Sequence, residues 1–477
     1  MKKNSGILLI IIGLLFFNIK LEAQSLGKLW GTIFEEGIPN AGGILFYYDP
    51  TTGKDSIVYT FPSANENSSN LIQASDGNIY GVTTDFGPNG SASGGNGTIF
   101  KCTPSGTVST LVTFPGTVNT INPICIIQGS DGNFYGMVSG NALQKNYGSI
   151  FKCTLSGILT TLVNFDSIHG SYPGYLIQGK NGNLYGVTGG GGTYNQGIIF
   201  QCTMAGTLTT LFSFPADSKN NIDPLSIMQA KDGNFYGITE NGGSANTGTL
   251  FKCDTLGNLT TLVNFTGAAN GSYPMGNLIQ DTNGDLYGTA SGTFTSPTAG
   301  TLFKCTTSGT LTTLVNFKDT NGSNPQAGVI QGSDGNLYGT TGNDGTSHMG
   351  TLFKYTLNGG NQTTLVNFPY NNPETTLRCQ LLEIKNSATG IESIKTENND
   401  LTFYPNPSHG VFTFMEHGVK DKVNLEIYNM FGKNIYNTQC NTGATQIDLS
   451  GRPTGVYLYR MVNENGETIG SGKLIIE

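Results

Sequence analysis

The sequence predicts an all-β protein, a seven-bladed β-propeller followed by a small Ig-like β-sandwich. Three observations predict it. Six close copies of Asp-Gly-Asn-Leu-Tyr-Gly, each followed by a Gly-Thr-Leu-Phe-Lys run, place a glycine at 81, 136, 186, 237, 288 and 339, in steps of 55, 50, 51, 51 and 51 residues. Periods near 50 residues with four strand-like runs per unit mark propeller blades. The composition agrees: 68 glycines and only 12% charged residues in 477, with Gly-rich turns between runs of Val, Ile, Thr, Tyr and Phe. The third observation is that the two ends of the array are incomplete in complementary ways.

Residues 1–23 precede the array and read as a secretory signal peptide. Lys2 and Lys3 form a positive start, and Gly6 to Phe17 is an apolar core of twelve residues, shorter than the roughly 20 a membrane-spanning helix needs. Ala23 offers a small residue for cleavage before Gln24. No later stretch is apolar enough to cross a bilayer, so no transmembrane anchor is expected after cleavage.

Residues 24–384 form the predicted propeller. Each unit reads as strand a (Leu71-Ile72-Gln73 or Leu176-Ile177-Gln178), a tight Asp-Gly or Asn-Gly turn, strand b (Leu-Tyr-Gly-Val/Thr), strand c (Gly-Thr-Leu-Phe-Lys-Cys) and strand d (Thr-Thr-Leu-Val-Asn-Phe). The glycine of strand b suits a crowded place where neighbouring blades converge. A degenerate first copy, Leu29-Trp30-Gly31 and then Gly43 to Tyr48, keeps the period but lacks strand a. After the last strand d, Thr363 to Phe368, an orphan run at Leu377 to Ile384 supplies what is missing. Pairing it beside Leu29 to Phe34 would close the ring and remove two exposed apolar faces and their edges.

Cys102, Cys153, Cys202, Cys253 and Cys305 occupy one position in five successive repeats, and Tyr48 and Tyr355 take that place in two others. Equivalent positions on neighbouring repeats exceed the roughly 7 Å Cα limit of a disulfide. A Cys that Tyr can replace is a packing residue. Buried free thiols are expected, with no metal site and no cofactor. Asp281 to Asp285 opens like a calcium loop but lacks the Gly and Glu that such a loop uses further on, so the turn is read as structural.

The repeated Asp-Gly-Asn-Leu-Tyr-Gly with Gly-Thr-Leu-Phe-Lys resembles the GloVer-type tandem repeat, a propeller-like family of exported bacterial proteins, over roughly residues 29 to 370. The resemblance implies the fold and export, and no particular activity.

Residues 385–399 are polar, lack the repeat and read as a linker. Residues 400–477 hold about seven short alternating runs, the pattern of a small sandwich. Tyr404-Pro405-Asn406-Pro407, Ile427-Tyr428-Asn429 with Gly432, Ile447 to Ser450, Pro453 to Tyr457 with Gly455 and Tyr457, and Lys473 to Ile476 resemble the type A C-terminal sorting domain of the type IX secretion system. That resemblance implies the type IX machinery as partner and Tyr404, Pro405, Asn406, Pro407, Gly455, Tyr457 and Lys473 as parts of the sorting signal. It also implies export through the periplasm to the outer cell surface or beyond.

Function is less legible. With a net charge of -8 and three arginines (Arg378, Arg452 and Arg460), the chain lacks the clustered cations that phosphate backbones need, so nucleic acid is excluded. The a–b turns repeat almost unchanged and read as structural. The b–c and d–a loops on the opposite face differ from copy to copy, and binding residues usually sit on loops carried by a rigid frame. Tyr147, Tyr172, Tyr194 and Tyr273 with Asp166, Glu240 and Asp344 make up a sugar-binding palette there. A glycan or a surface protein is the expected ligand. Of four histidines only His169 and His348 lie in the array, each alone, so neither a metal cluster nor a Ser-His-Asp constellation is indicated. The reading is a surface binding or scaffold module. The alternative is a carbohydrate-active enzyme with a carboxylate pair at the mouth, drawn from Asp166, Asp223, Glu240, Asp319 and Asp344.

Overall fold

A computed structural model describes residues 26–35, 43–61, 70–84, 97–115, 122–140, 146–216, 222–267, 270–292, 300–346, 350–368, 375–376, 380–384, 400–404, 408, 410–417, 423–429, 433–440, 444–453, 455–463 and 468–476. The expected signal peptide and linker lie outside these residues. The chain divides into two compact units, 1–384 and 385–477. Every described strand pair is antiparallel, apart from one parallel bridge between Ser408 and Ile476.

The first unit stacks sheets in chain order. Sheets II to VII each have four strands, a to d. Sheet II starts at Ile72–Gln73, III at Asn122–Gln128, IV at Ser171–Gln178, V at Pro224–Gln229, VI at Pro274–Gln280 and VII at Ile330–Gln331. Sheet I is built from both ends of the array. Lys28–Glu35, Ile44–Asp49 and Lys54–Thr60 supply strands b, c and d. Leu382–Ile384 pairs with Lys28 to Trp30, and Thr375–Thr376 pairs with Phe34 and Glu35. The closing strand is therefore split, where a single run from 377 was expected. Strand a is interrupted elsewhere too, with register breaks at Pro173/Leu176, Pro224/Ser226 and Met275/Ile279, so a bulged inner strand is the rule.

Each junction between sheets is sealed in one way. The Phe of strand c packs against the Phe that follows strand d of the preceding sheet: Phe61–Phe100, Phe114–Phe151, Phe165–Phe200, Phe214–Phe251, Phe265–Phe303 and Phe317–Phe353, with ring centroids 4.9 to 5.7 Å apart. The same pair recurs between the last sheet and the first, Phe368 on Phe46 at 5.3 Å and 72°. Leu29, Phe46, Tyr48, Tyr338, Leu352 and Phe368 share one buried cluster there. Burying large rings at every junction supplies most of the driving force for stacking.

The strand-b glycine answers to a different crowding from the one expected. A Cβ on Gly237 would stand 2.3 Å from Phe251 Cζ and 2.4 Å from the Ser226 carbonyl oxygen. Phe251 is the register partner of Gly237 within the same sheet. The glycine makes room for the ring that its own sheet sends into the junction, which is why large and absent side chains face each other across strands b and c.

A second device fastens the turns. In four junctions the strand-a Gln accepts the backbone N–H of the preceding sheet's turn: Ser75 to Gln128 (2.7 Å), Ser130 to Gln178 (2.8 Å), Lys180 to Gln229 (2.7 Å) and Lys231 to Gln280 (2.8 Å). Each of these Gln amides also donates to a carbonyl of its own turn, as Gln229 does to Gly233. Sheet I has no a–b hairpin, since its strands a and b come from opposite ends. Glu383 stands in that place. Its carboxylate accepts Ser333 N–H (2.9 Å), the Ser333 hydroxyl and Gly27 N–H (2.8 Å). One residue thus ties the C-terminal strand to the last sheet and to the start of the first.

The turn carboxylates are occupied in the same systematic way. Asp76 accepts from Asn78 Nδ2 (2.8 Å), Tyr80 OH (2.8 Å) and Lys101 Nζ (3.1 Å), and Asp131, Asp232 and Asp334 repeat the arrangement. Sheet IV replaces both charges: Asn181 donates to Tyr185 OH, which donates to Gln201. In sheet VI, Asp281 accepts Asp285 N–H and Tyr287 OH while Asp285 holds Lys304. Burial works against ionising Asp76 and Asp131, but the hydrogen bonds from Asn, Tyr and Lys outweigh it and bring both down to about 2. A depressed carboxyl stabilises the fold above its unfolded value, near 4, and loses that contribution as pH falls through the folded value. Unfolding stability is therefore expected to drop between pH 4 and 2. Urea titrations at pH 6, 4 and 2.5 check this, and Asp76→Asn should flatten the acid slope; an unchanged slope would contradict the assignment.

Seven described cysteines are free and buried, and burial pushes the Cys102 thiol up to about 11 and the Cys125 thiol to about 12. Where Thr83–Thr98, Thr239–Thr249 and Thr341–Thr351 pair their hydroxyls at 2.8 to 3.0 Å, sheet VI carries Ala290, and the buried Thr301 hydroxyl has no partner.

The second unit has a three-stranded sheet (Asp400–Tyr404, Val411–His417, Ala444–Asp448) and a four-stranded sheet (Val423–Tyr428, Asn434–Cys440, Gly455–Val462, Thr468–Ile476). Phe412, Phe414 and Ile447 of one share a core with Leu425, Ile427, Tyr457, Met461 and Leu474 of the other.

Candidate functional site

Strand a is the innermost strand: the first strands of neighbouring sheets meet, while strands d keep exposed residues. Side-chain amides also tie one sheet to another. Asn277 Nδ2 donates to Gln380 Oε1 at 2.7 Å, across from sheet VI to sheet I, and the Asn70 amide bonds both the N–H and the carbonyl of Ile126.

At the end of the axis carrying the b–c and d–a loops, an X-Pro pair recurs in successive sheets, at the head of strand a or, in sheet VII, ahead of it: Asn122-Pro123, Tyr172-Pro173, Asp223-Pro224, Tyr273-Pro274 and Asn324-Pro325. Four of the X residues lie in the left-handed region: Tyr172 (φ 52°), Asp223 (φ 49°), Tyr273 (φ 54°) and Asn324 (φ 55°). A residue before proline is steered away from helical dihedrals, and a bulky side chain at positive φ costs on the order of 1–3 kcal/mol. The geometry persists because the frame fixes it from both sides. The X carbonyl accepts the N–H of the residue just after strand b, as Asp223 does from Glu240 (2.9 Å), Tyr273 from Ser291 (3.0 Å) and Asn324 from Gly342 (2.9 Å). The proline then seats against the preceding sheet, with Pro274 Cδ 2.4 Å from where a Cβ on Gly248 would lie. One backbone frame therefore presents Tyr, Asp, Tyr and Asn in successive sheets, as a collar around the axis.

Tyr172 is 57% exposed. A Cβ placed on Gly189 would sit 3.7 Å from Tyr172 Cβ and 3.7 Å from Asp223 Oδ1, so both side chains border Gly189. Asp223 Oδ2 accepts Asn241 Nδ2 at 3.0 Å. Glu240, half-buried, is raised from the usual carboxylate range by burial and by the charge of Asp223. Tyr273 is half-buried, and Asn324 is 6% exposed with its Nδ2 lacking a partner.

Of the residues singled out in the sequence, Tyr172, Tyr273 and Glu240 stand on the collar. Tyr147 is half-buried and packs on the cluster of Cys125, Tyr135, Leu176 and Phe200. Tyr194 is exposed on the b–c loop of sheet IV. Asp166 caps its own loop, accepting Ile168 N–H (2.8 Å), His169 N–H (2.6 Å) and His169 Nδ1 (2.8 Å); burial opposes its ionisation and these bonds lower it nonetheless. Asp344, at φ 58°, shapes the b–c loop of sheet VII, where its carbonyl accepts Gly350 N–H. No hydrogen bond or ion pair among the described residues joins these four to the collar. Asn241 and Asn324 were not foreseen; for Asn324 the signal was the recurring X-Pro pair, and Asn241, in the b–c loop of sheet V, carried none. Among the described residues no group of three His, Cys, Asp or Glu side chains could hold a metal, and no helix is long and apolar enough to cross a membrane.

In the second unit Tyr457 is buried and its hydroxyl donates to the Pro453 carbonyl at 2.7 Å, while Gly455 and Lys473 are exposed. Tyr404 ends a strand; Pro405, Asn406 and Pro407 lie outside the described residues.

Comparison with known proteins adds the following. The Gloeobacter/Verrucomicrobia repeat matches residues 18–224 and 216–404, and a secretion system C-terminal sorting domain matches 402–477. No curated protein matches the chain. Three solved structures share the fold of the first unit. A Lactobacillus plantarum protein is 17% identical, with 75% of this chain and 100% of that one aligned and a TM-score of 0.52. The periplasmic gluconolactonase of Pseudomonas aeruginosa is 16% identical, over 76% and 100%, at 0.52. A putative 6-phosphogluconolactonase of Bacteroides fragilis is 16% identical, over 75% and 98%, at 0.50. At such identity the likeness shows a propeller-like, all-β fold and no more. The sorting domain implies handling by the type IX secretion machinery and export to the cell surface or extracellular space.

Proposed function

We propose, for a chain that belongs to the Gloeobacter/Verrucomicrobia repeat family, the role of an exported binding module whose ligand is a glycan. In this reading residues 1–23 are a leader, sheets I to VII form a seven-bladed propeller spanning 24–384, 385–399 is a linker, and 400–477 is an Ig-like sandwich carrying the export signal. The propeller stays outside the cell as a rigid stand for its collar.

The observation that carries the reading is the collar. Turns at the opposite end keep nearly the same residues in sheets II, III, V and VII, with Asn181 and Asp281 variants in sheets IV and VI. Here the backbone is held constant at four positions while the side chain changes from Tyr to Asp to Tyr to Asn. Rings stack on apolar sugar faces, and carboxylates and amides meet hydroxyls. The full-length chain, applied to immobilised glycans, is expected to bind a subset, and Tyr172→Ala with Tyr273→Ala should weaken that binding tenfold or more. Retention on no glycan would return the chain to a structural surface role.

A second reading has one observation in its favour. Glu240, raised beside Asp223, is a carboxyl disposed to keep its proton, as a general acid must. Product release from a polysaccharide panel, abolished by Glu240→Gln, would make the module an enzyme.

A further inference from the structure

We propose that the collar selects a cationic sugar, a glycan unit with a free amine, at the arc formed by Tyr172, Asp223, Glu240 and Tyr273. This rests on the glycan-binding reading above and narrows its ligand class.

The charge pattern points there first. Asp76, Asp131, Asp232, Asp285 and Asp334 each hold a lysine, at 2.9 to 3.4 Å. Asp223 and Glu240, joined through their backbones, take part in no ion pair among the described residues. Asn241 satisfies one oxygen of Asp223, and the other lies on the side of Gly189, 3.7 Å from where a Cβ on that residue would stand. Two adjacent, partly buried carboxyls repel each other, and Glu240 is raised first by its burial and then by the charge of Asp223. A ligand cation would relieve both charges. A neutral sugar would desolvate them further and offer only hydroxyls.

Rings and an amide complete the requirement. Tyr172 and Tyr273 occupy the same register position on either side of the acidic pair, at nearly the same φ, and an aromatic face close to a cation contributes about 0.5–2 kcal/mol. Asn324, also followed by proline, has the same dihedral in sheet VII, φ 55°. Nine-tenths buried, it keeps an unpaired amide donor, and an unpaired buried donor calls for an acceptor such as a sugar hydroxyl. Ammonium, ring face and hydroxyl together describe an amino sugar.

The test is calorimetric titration of the full-length chain at pH 6 with a glucosamine tetramer, its fully N-acetylated form and a neutral glucose tetramer. The amine form is expected to bind at least tenfold more tightly than either. Asp223→Asn with Glu240→Gln should remove that preference, whereas Asp55→Asn, an exposed carboxyl on the outer strand of sheet I, should leave it intact and so exclude general attraction to an acidic chain. Should the double variant fail to fold, Tyr172→Ala at its exposed position should weaken the amine form about fivefold. Equal binding of amine and acetylated forms, or a preference that survives the double substitution, overturns the proposal. If the neutral tetramer binds as well as the amine, glycan binding stands and this selectivity falls. If no tetramer binds, both fall.

Discussion

Replacing Glu383 by alanine is expected to destabilise the first unit by about 2–3 kcal/mol, because three donors lose a charged acceptor at the seam. The less obvious expectation concerns glutamine. All six other sheets carry Gln at this position, and pattern alone would make Glu383→Gln an improvement. Those glutamines donate to a carbonyl of their own a–b turn. Sheet I has no such turn, and its second bond runs from Gly27 N–H to the carboxylate. An amide nitrogen there would face a donor, so Glu383→Gln should cost about 1–2 kcal/mol. Thermal melts of the three chains order them wild type, Gln, Ala; a glutamine variant as stable as wild type would remove the latch from the account.

The second large effect is expected at the strand-b glycines, and it should be graded. An added Cβ at Gly237 meets the Ser226 carbonyl at 2.4 Å, and at Gly136 it meets the Cys125 carbonyl at 2.2 Å. Backbone cannot step aside. At Gly81 the same atom meets only the side chains of Phe100 (2.7 Å) and Leu71 (3.0 Å), and side chains can turn. Gly237→Ala and Gly136→Ala should each cost about 3 kcal/mol or more, and Gly81→Ala about 1 kcal/mol. Chemical denaturation of the three variants measures the difference. Equal losses would mean that the ring of strand c, and not the bulged strand a, sets the limit.

Much of the first unit was legible because its chemistry is local and repeated. An Asp-Gly turn, a tyrosine four residues on and a lysine across the sheet specify one hairpin wherever they occur, and the closing strand at Leu382–Ile384 could be inferred from what Lys28–Glu35 lacked. Its split form could not, since the bulge in strand a depends on how closely the inner strands approach. The crowding at Gly237 was assigned to a neighbouring sheet because period alone does not say which ring fills a glycine's space; register does. Glu383 read as one more polar residue, since its meaning depends on a partner 356 residues away at Gly27.

The site was read less well for a physical reason. Loop tyrosines and carboxylates look alike in sequence, yet Asp166 is spent on its own loop and Tyr147 on a core cluster, while Tyr172 and Tyr273 are raised on a strained, shared frame. What separates them is the proline that follows. An X-Pro step recurring in five sheets was visible in the chain, but it becomes informative only once strand a is known to be innermost.

The claim on which the rest depends is that the two ends of the array finish one sheet between them. Native-state hydrogen exchange measures it directly. The amides of Lys28–Trp30 and Leu382–Ile384 are predicted to be protected and to lose protection together, at one free energy of opening. Unprotected exchange at 382–384 while sheets II to VII stay protected would contradict it.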